Sequence, residues 1–141
     1  MSGGERLAPL EREMSSERLV MYAGATWDWH KLHYDQAYAD AANLPAPIVD
    51  GQHYGGLFTE QALSATGPAG RVKTMAMRFR SMVFVGDTVR VTGEVTGYDD
   101  GVLTISHELR VDDRLCATAV TTVAVAAATP RLDGANHDRP R

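Results

Sequence analysis

Asp50-Gly51-Gln52-His53-Tyr54-Gly55-Gly56-Leu57-Phe58-Thr59-Glu60-Gln61-Ala62-Leu63-Ser64-Ala65 is the stretch that decides the fold. Within it Tyr54, Leu57, Phe58, Ala62 and Ala65 recur at the i, i+3, i+4 spacing of one helix face. It is the longest helical pattern in the chain. Gly55 and Gly56 each weaken such a helix by up to about 1 kcal/mol relative to alanine, so they predict close backbone packing there. Leu44-Pro45-Ala46-Pro47 forms a stiff connector ahead of it, and Gly67-Pro68 ends it.

Beyond the helix the period changes to two. Met75, Met77, Phe79 and Ser81 alternate with Ala76, Arg78 and Arg80. After a turn at Gly86-Asp87, Val89, Val91, Gly93 and Val95 alternate with Arg90, Thr92, Glu94 and Thr96. Asp99-Asp100-Gly101 signals a hairpin, Leu103, Ile105 and Leu109 continue the alternation, and Asp112-Asp113 turns the chain again. Leu115 to Val125 is a long threonine- and valine-rich strand. Upstream, a short strand is predicted within Arg6 to Met14. A short helix capped at Ser15-Ser16 is predicted to end at Gly24, and another to run from Asp35 to Asn43. An antiparallel sheet with one apolar face must cover that face, and one amphipathic helix is available. Periodicity thus predicts an α+β roll. The hotdog fold, a curved antiparallel sheet wrapped around one long central helix, has that layout.

At 141 residues and 15.3 kDa the sequence amounts to one domain. The domain is assigned to residues 1–128 and the polar residues 129–141 to a disordered C-terminal tail. About two-thirds of the extended-chain surface is buried in a protein of this mass, so a core forms without disulfides or structural metal. The formal net charge of −4 argues against a dedicated nucleic-acid partner. The longest apolar run, Val123 to Ala128, falls far short of the roughly 18 residues that suggest a membrane span. Cys116 is the sole cysteine and reads as a small buried apolar residue. Met1-Ser2-Gly3-Gly4-Glu5-Arg6 lacks the apolar stretch of a signal peptide, so the expected address is cytoplasmic.

The chemistry concentrates in Tyr22-Ala23-Gly24-Ala25-Thr26-Trp27-Asp28-Trp29-His30-Lys31-Leu32-His33-Tyr34-Asp35. Asp28 and His33 lie five residues apart in a loop. Such a carboxylate and imidazole can hold one water between them for general acid–base work. Flanking indoles at Trp27 and Trp29 would lower the local polarity and raise the carboxylate's pKa. The plainer reading makes Asp28 and Asp35 loop caps and the histidines surface residues. Asp28, His30, His33 and Asp35 also have permissive metal-ligand spacing, but no further ligand cluster stands out, and no metal is expected.

This segment resembles the motif of the MaoC-like hydratases, or (R)-specific enoyl-CoA hydratases, of the hotdog superfamily. Their motif runs Tyr-Ala-x-x-x-Gly-Asp-x-Asn-Pro-(Leu/Ile)-His-x-Asp, and Tyr22-Ala23, Asp28, Leu32, His33 and Asp35 match it in register. Pro47-Ile48-Val49-Asp50-Gly51-Gln52 stands where the family has Pro-Ile-(Val/Ala)-His-Gly-Met. Arg78-Phe79-Arg80-Ser81-Met82-Val83-Phe84-Val85-Gly86-Asp87-Thr88 is similar to its Arg-Phe-x-x-Pro-Val-Phe-Pro-Gly-Asp-Thr. The resemblance covers about residues 7–127.

The resemblance implies a hydro-lyase acting on a trans-2-enoyl or (3R)-3-hydroxyacyl thioester, within fatty acid metabolism. Asp28 would be the principal base, His33 its acid–base partner, and the Gly51 N–H the donor to the thioester oxygen. Free N–H groups and the helix dipole at a helix N-terminus suit a developing enolate, and a glycine admits the carbonyl closely. No cofactor is implied beyond coenzyme A as part of the substrate, and a homodimer or larger oligomer is implied.

The sequence departs from the family pattern at Trp27 for Gly, His30-Lys31 for Asn-Pro, Asp50 for His and Gln52 for Met. With Trp29, these altered positions, Trp27, His30, Asp50 and Gln52, are candidates for substrate contact. Asp50 would either face the site, opposing enolate charge, or cap the helix and face away. Arg78 and Arg80 project to one face by strand parity and are candidates for phosphate contact, against the plainer reading of a solvated face. Two alternatives stand beside the hydratase. One is a hotdog acyl-CoA thioesterase using Glu60 of the central helix. The other is a non-catalytic hotdog subunit of a heteromer.

Overall fold

A computed structural model describes residues 1–125. The elements are β1 (Leu10–Glu13), α1 (Ser16–Thr26), a 3-10 turn (Lys31–His33), α2 (Gln36–Ala41), α3 (Gly51–Thr66), β2 (Arg71–Phe79), β3 (Thr88–Asp99), β4 (Val102–Val111) and β5 (Arg114–Ala124). The five strands form one antiparallel sheet in the order β1-β3-β4-β5-β2. The boundary placed at 128 and the tail 129–141 lie outside the described residues.

The alternation read from the sequence is the alternation of the sheet. Val89, Val91, Gly93 and Val95 of β3 are buried, and the residues between them are exposed. Two-residue turns join β3 to β4 and β4 to β5. Asp100 and Gly101 both take positive φ, 43° and 75°, as a type I′ hairpin requires, and Asp112 does so at 49°. α3 lies across the apolar face and buries Tyr54, Leu57, Phe58 and Ala62. Gly55 lets the sheet come close: a Cβ there would meet the Met77 Sδ and Cε at 3.4 Å. Around the helix the core divides into a larger cluster, including Met14, Leu19, Phe58 and Leu109, and a smaller one, including Leu7, Ala62 and Ile105. Cys116 is buried and free.

One local expectation needs correction, and the upstream strand falls within its expected range. α1 does not end at Gly24 but runs on to Thr26, with Trp27 as a left-handed C-cap at φ 59°. Gly24 is helical and sits under Trp29, where a Cβ would lie 3.6 Å from the indole. The upstream strand is short, Leu10–Glu13, with an isolated Arg6–Glu94 bridge continuing the edge.

Three polar residues interrupt the apolar layer. Gln61 of α3, His107 of β4 and Thr121 of β5 are buried and bonded to one another. The Gln61 amide donates to the carbonyls of Ala8 and Val91 at 3.0 Å each, so its oxygen must accept from His107 Nδ1 at 2.8 Å. The neutral imidazole then presents a bare Nε2, which accepts from the Thr121 hydroxyl at 2.9 Å. Every polar group in the network has a partner, and the network pins the middle of α3 to the sheet.

Candidate active site

The N-terminus of α3 is anchored by a small backbone clamp. Val49 N–H donates to Val83 O at 2.8 Å and Val85 N–H to Pro47 O at 2.9 Å, around an isolated Ile48–Phe84 bridge. This clamp fixes residues 47–51 against the segment leading into β3. Ile48 in turn donates its N–H to Leu32 O at 3.0 Å, which ties the motif loop to the same point.

Asp28, His33 and Asp50 converge there. Each offers one oxygen or nitrogen, and these atoms lie within 4.8 Å of one another. Each side chain is also held by a backbone group. His30 N–H donates to Asp28 Oδ1 at 3.2 Å, and Gln52 N–H donates to Asp50 Oδ1 at 2.9 Å. His33 Nδ1 meets Ile48 O at 2.9 Å, and because a carbonyl only accepts, Nδ1 carries a proton. Asp50 therefore does both things the sequence left open: it caps α3 and it faces the site.

The crevice behind these groups is lined by Leu19, Tyr22 and Ala23 of α1 and by His53 of α3. Tyr22 and His53 stack with ring centroids 4.3 Å apart and planes 3° from parallel. Burial holds the Tyr22 phenol above its ordinary range, reinforced by the negative charges of Asp50 and Asp28. His53 is pushed down by burial and by Arg18, with Asp50 pulling the other way. The crevice narrows below the width of a water molecule, and Asp28, His33 and Asp50 line it together with these walls. Tyr22 and His53 were missed as walls. The available signal was the face Leu19, Tyr22, Ala23 at helical spacing, and His53 one turn after Asp50.

On the other side of the helix start lies an open groove of about 330 Å³, lined by Ile48, Gly51, Tyr54, Phe79, Arg80 and Met82 among others. Gly51 is the first residue of α3, where a helix N–H has no intrahelical acceptor. The Phe79 ring stands so close that a Cβ on Gly51 would lie 2.8 Å from its Cε1. Phe79 and Met82 are 59% and 50% exposed.

The structure separates the remaining candidates. His30 is a cap: its Nδ1 accepts from Leu32 N–H at 3.1 Å, and its ring packs edge-on against Tyr38. Asp35 caps α2 through Tyr38 N–H, so His30 and Asp35, two of the four residues with permissive metal-ligand spacing, bond to backbone. Trp27 is 80% exposed and Asp28 is exposed, so the indoles do not enclose the carboxylate as expected. The left-handed cap points Trp27 outward, while Trp29 packs edge-on to Trp27 and Tyr34. Gln52 is exposed and lines neither crevice nor groove. β2 ends at Phe79, so Arg80 lies just past the strand, and both arginines are exposed. Arg80 lines the groove, whereas Arg78 is exposed on the strand outside it. Glu60 is paired with Arg12 on the surface.

A curved five-stranded antiparallel sheet around one helix is the hotdog fold. The chain belongs to the MaoC-like domain family, whose model matches residues 2–114. It is 32% identical over 78 residues to the mitochondrial 3-hydroxyacyl-[acyl-carrier-protein] dehydratase of Arabidopsis thaliana, covering 55% of this chain and 46% of that protein. It thus spans less than half of that relative. It is 30% identical over 87 residues to the 3-oxo-4,17-pregnadiene-20-carboxyl-CoA hydratase beta subunit of Mycobacterium tuberculosis, covering 62% and 67%. Among solved structures, a chain of the ChsH1-ChsH2 complex from Mycobacterium tuberculosis superposes with TM-score 0.85 at 26% identity, over 89% of this chain and 98% of that one. The (R)-hydratase from A. caviae gives 0.84 at 24% identity over the same shares, a likeness of fold alone.

Proposed function

We propose that this chain adds water to a trans-2-enoyl thioester, or removes it from the corresponding (3R)-3-hydroxyacyl thioester. The supporting observation is the convergence of Asp28 and His33 beside the free N–H end of α3. In hydration Asp28 takes a proton from water as the oxygen bonds to Cβ. The electrons of the double bond move to the thioester oxygen, where the Gly51 N–H and the helix dipole hold the enolate. A proton from His33 then reaches Cα, and dehydration runs the same steps backward.

The groove over Gly51 suits the acyl or pantetheine portion, with Phe79 and Met82 as apolar contacts and Arg80 for a phosphate. The relatives' names include both a carrier-protein and a CoA substrate, and either carrier fits this reading. A second copy of the chain is the proposed partner, since β2 is an open edge and Phe79 and Met82 are exposed next to it.

Loss of the conjugated absorbance of a trans-2-enoyl-CoA panel tests the reading. Turnover is expected, falling by about 10²–10⁴-fold in D28N. E60A is expected to leave it unchanged, because Glu60 is paired with Arg12 roughly 13 Å along the helix from Gly51. Absence of turnover at every chain length, or thioester hydrolysis lost only in E60A, overturns it.

A further inference from the structure

The third member of the polar triangle has no counterpart in the Asp–His pair. We propose that Asp50 is itself a catalytic residue, the second acceptor of the reacting water. The inference rests on the hydro-lyase reading and deepens it.

The geometry is what a single water needs. Three atoms within 4.8 Å of one another leave a point no more than about 2.8 Å from each, which is a hydrogen-bond distance. One oxygen placed at that point would bond Asp28, Asp50 and His33 together. Their backbone bonds leave Oδ2 of each carboxylate and Nε2 of the imidazole without a bonded partner among the described residues. A water has two hydrogens and two lone pairs. If His33 Nε2 were bare, three acceptors would face two hydrogens and one would go unsatisfied. With Nε2 protonated, Asp28 and Asp50 accept the two hydrogens and His33 donates to one lone pair. The remaining lone pair is then aimed at Cβ, so three side chains fix the attacking orbital. A pair makes two hydrogen bonds and leaves the remaining hydrogen and lone pair free to exchange places.

The balance is closed. As the O–Cβ bond forms, the O–H bond facing Asp28 breaks and its proton goes to Asp28. Asp50 keeps the hydrogen bond of the new hydroxyl. His33 gives its Nε2 proton to Cα, and transfer from Asp28 to His33 restores the starting state. Asp50 neither gains nor loses a proton. Its cost of removal should therefore appear in kcat, with little change in KM.

The other Asp50 oxygen caps α3, so the test must separate the two duties. Serine and asparagine both cap helices well, and alanine does not. D50S keeps the cap and deletes the second acceptor, D50N keeps the cap and turns the acceptor into a donor, and D50A loses both. D50S and D50N are expected to lower kcat at least 10-fold with KM within about 3-fold and melting temperature unchanged. D50A should lose kcat and melting temperature together. A D50S enzyme within 3-fold of the parent kcat overturns the proposal. So does a parallel loss of melting temperature in all three variants, which would make Asp50 only a cap. Turnover that requires an added divalent cation and stops with EDTA overturns it too, assigning the triangle to a metal. If D28N abolishes turnover and D50S does not, the hydratase reading survives without Asp50. No turnover by the parent protein overturns both.

Discussion

Trp27 holds a left-handed backbone, φ 59°, with its indole 80% exposed. That conformation costs a non-glycine residue about 1–2 kcal/mol, which explains why the related motif carries glycine at this place. Replacing it by tryptophan leaves the turn into Asp28 intact at the expense of strain, and the sign of that φ in the sequence was the departure from the motif's glycine. His107 was hidden for a different reason. It falls at an inward position between Ile105 and Leu109, where an alternating strand calls for an apolar residue. Only the structure supplies the partners, Gln61 and Thr121, from two other elements. Burial pushes the His107 imidazole down to about 4. An imidazole that ionises near 6.5 when unfolded therefore binds its proton more readily in the unfolded chain. The stability it protects is complete above about pH 6.5 and drains away as pH falls toward 4, by up to about 3 kcal/mol. Urea unfolding across this range should show that slope, and H107Q should flatten it. An equal slope in H107Q would refute the assignment.

At the scale of elements, α3 and strands β2 to β5 were legible because their periods of 3.6 and 2 persist over nine residues or more. The β3–β4 hairpin was legible because its Asp100-Gly101 has a conformational reason to turn. The helix-to-sheet contacts were not, because they depend on small residues meeting large ones across the layer. Gly93 is the sharpest case: a Cβ there would lie 2.7 Å from Gln61 Oε1 and 3.1 Å from His107 Nδ1. In sequence it read as one more small inward residue of β3. G93A is expected to cost about 1–3 kcal/mol by overpacking the polar network, measured as a lowered urea midpoint with unchanged m-value. A neutral G93A would mean that α3 is free to move away from the sheet.

At the scale of the molecule, one chain leaves β1 and β2 as sheet edges and an apolar groove at the site open. Light scattering is expected to give the mass of two chains, with specific activity falling on dilution below the dissociation constant. A fully active monomer would show that Gly51, Asp28 and His33 need no second chain. The Asp–His pair and Gly51 could be named from the sequence because the motif spacing carries them. Asp50 could only be named as a departure, since one residue's two oxygens serving a helix cap and a site is a matter of three-dimensional direction.

The clamp between residues 47–49 and 83–85 carries a consequence for how the molecule is made. Its two halves are separated in sequence by all of α3 and β2. Joining them closes a long loop, so the contact must wait until the sheet has condensed on the helix. During refolding, far-ultraviolet ellipticity should recover first, and the fluorescence of Trp27 and Trp29 in the motif loop should recover last, together with enzymatic competence. Competence that returned with the earliest phase would mean that the motif loop assembles without the clamp. A chain stalled before that closure would keep most of its secondary structure and none of its chemistry.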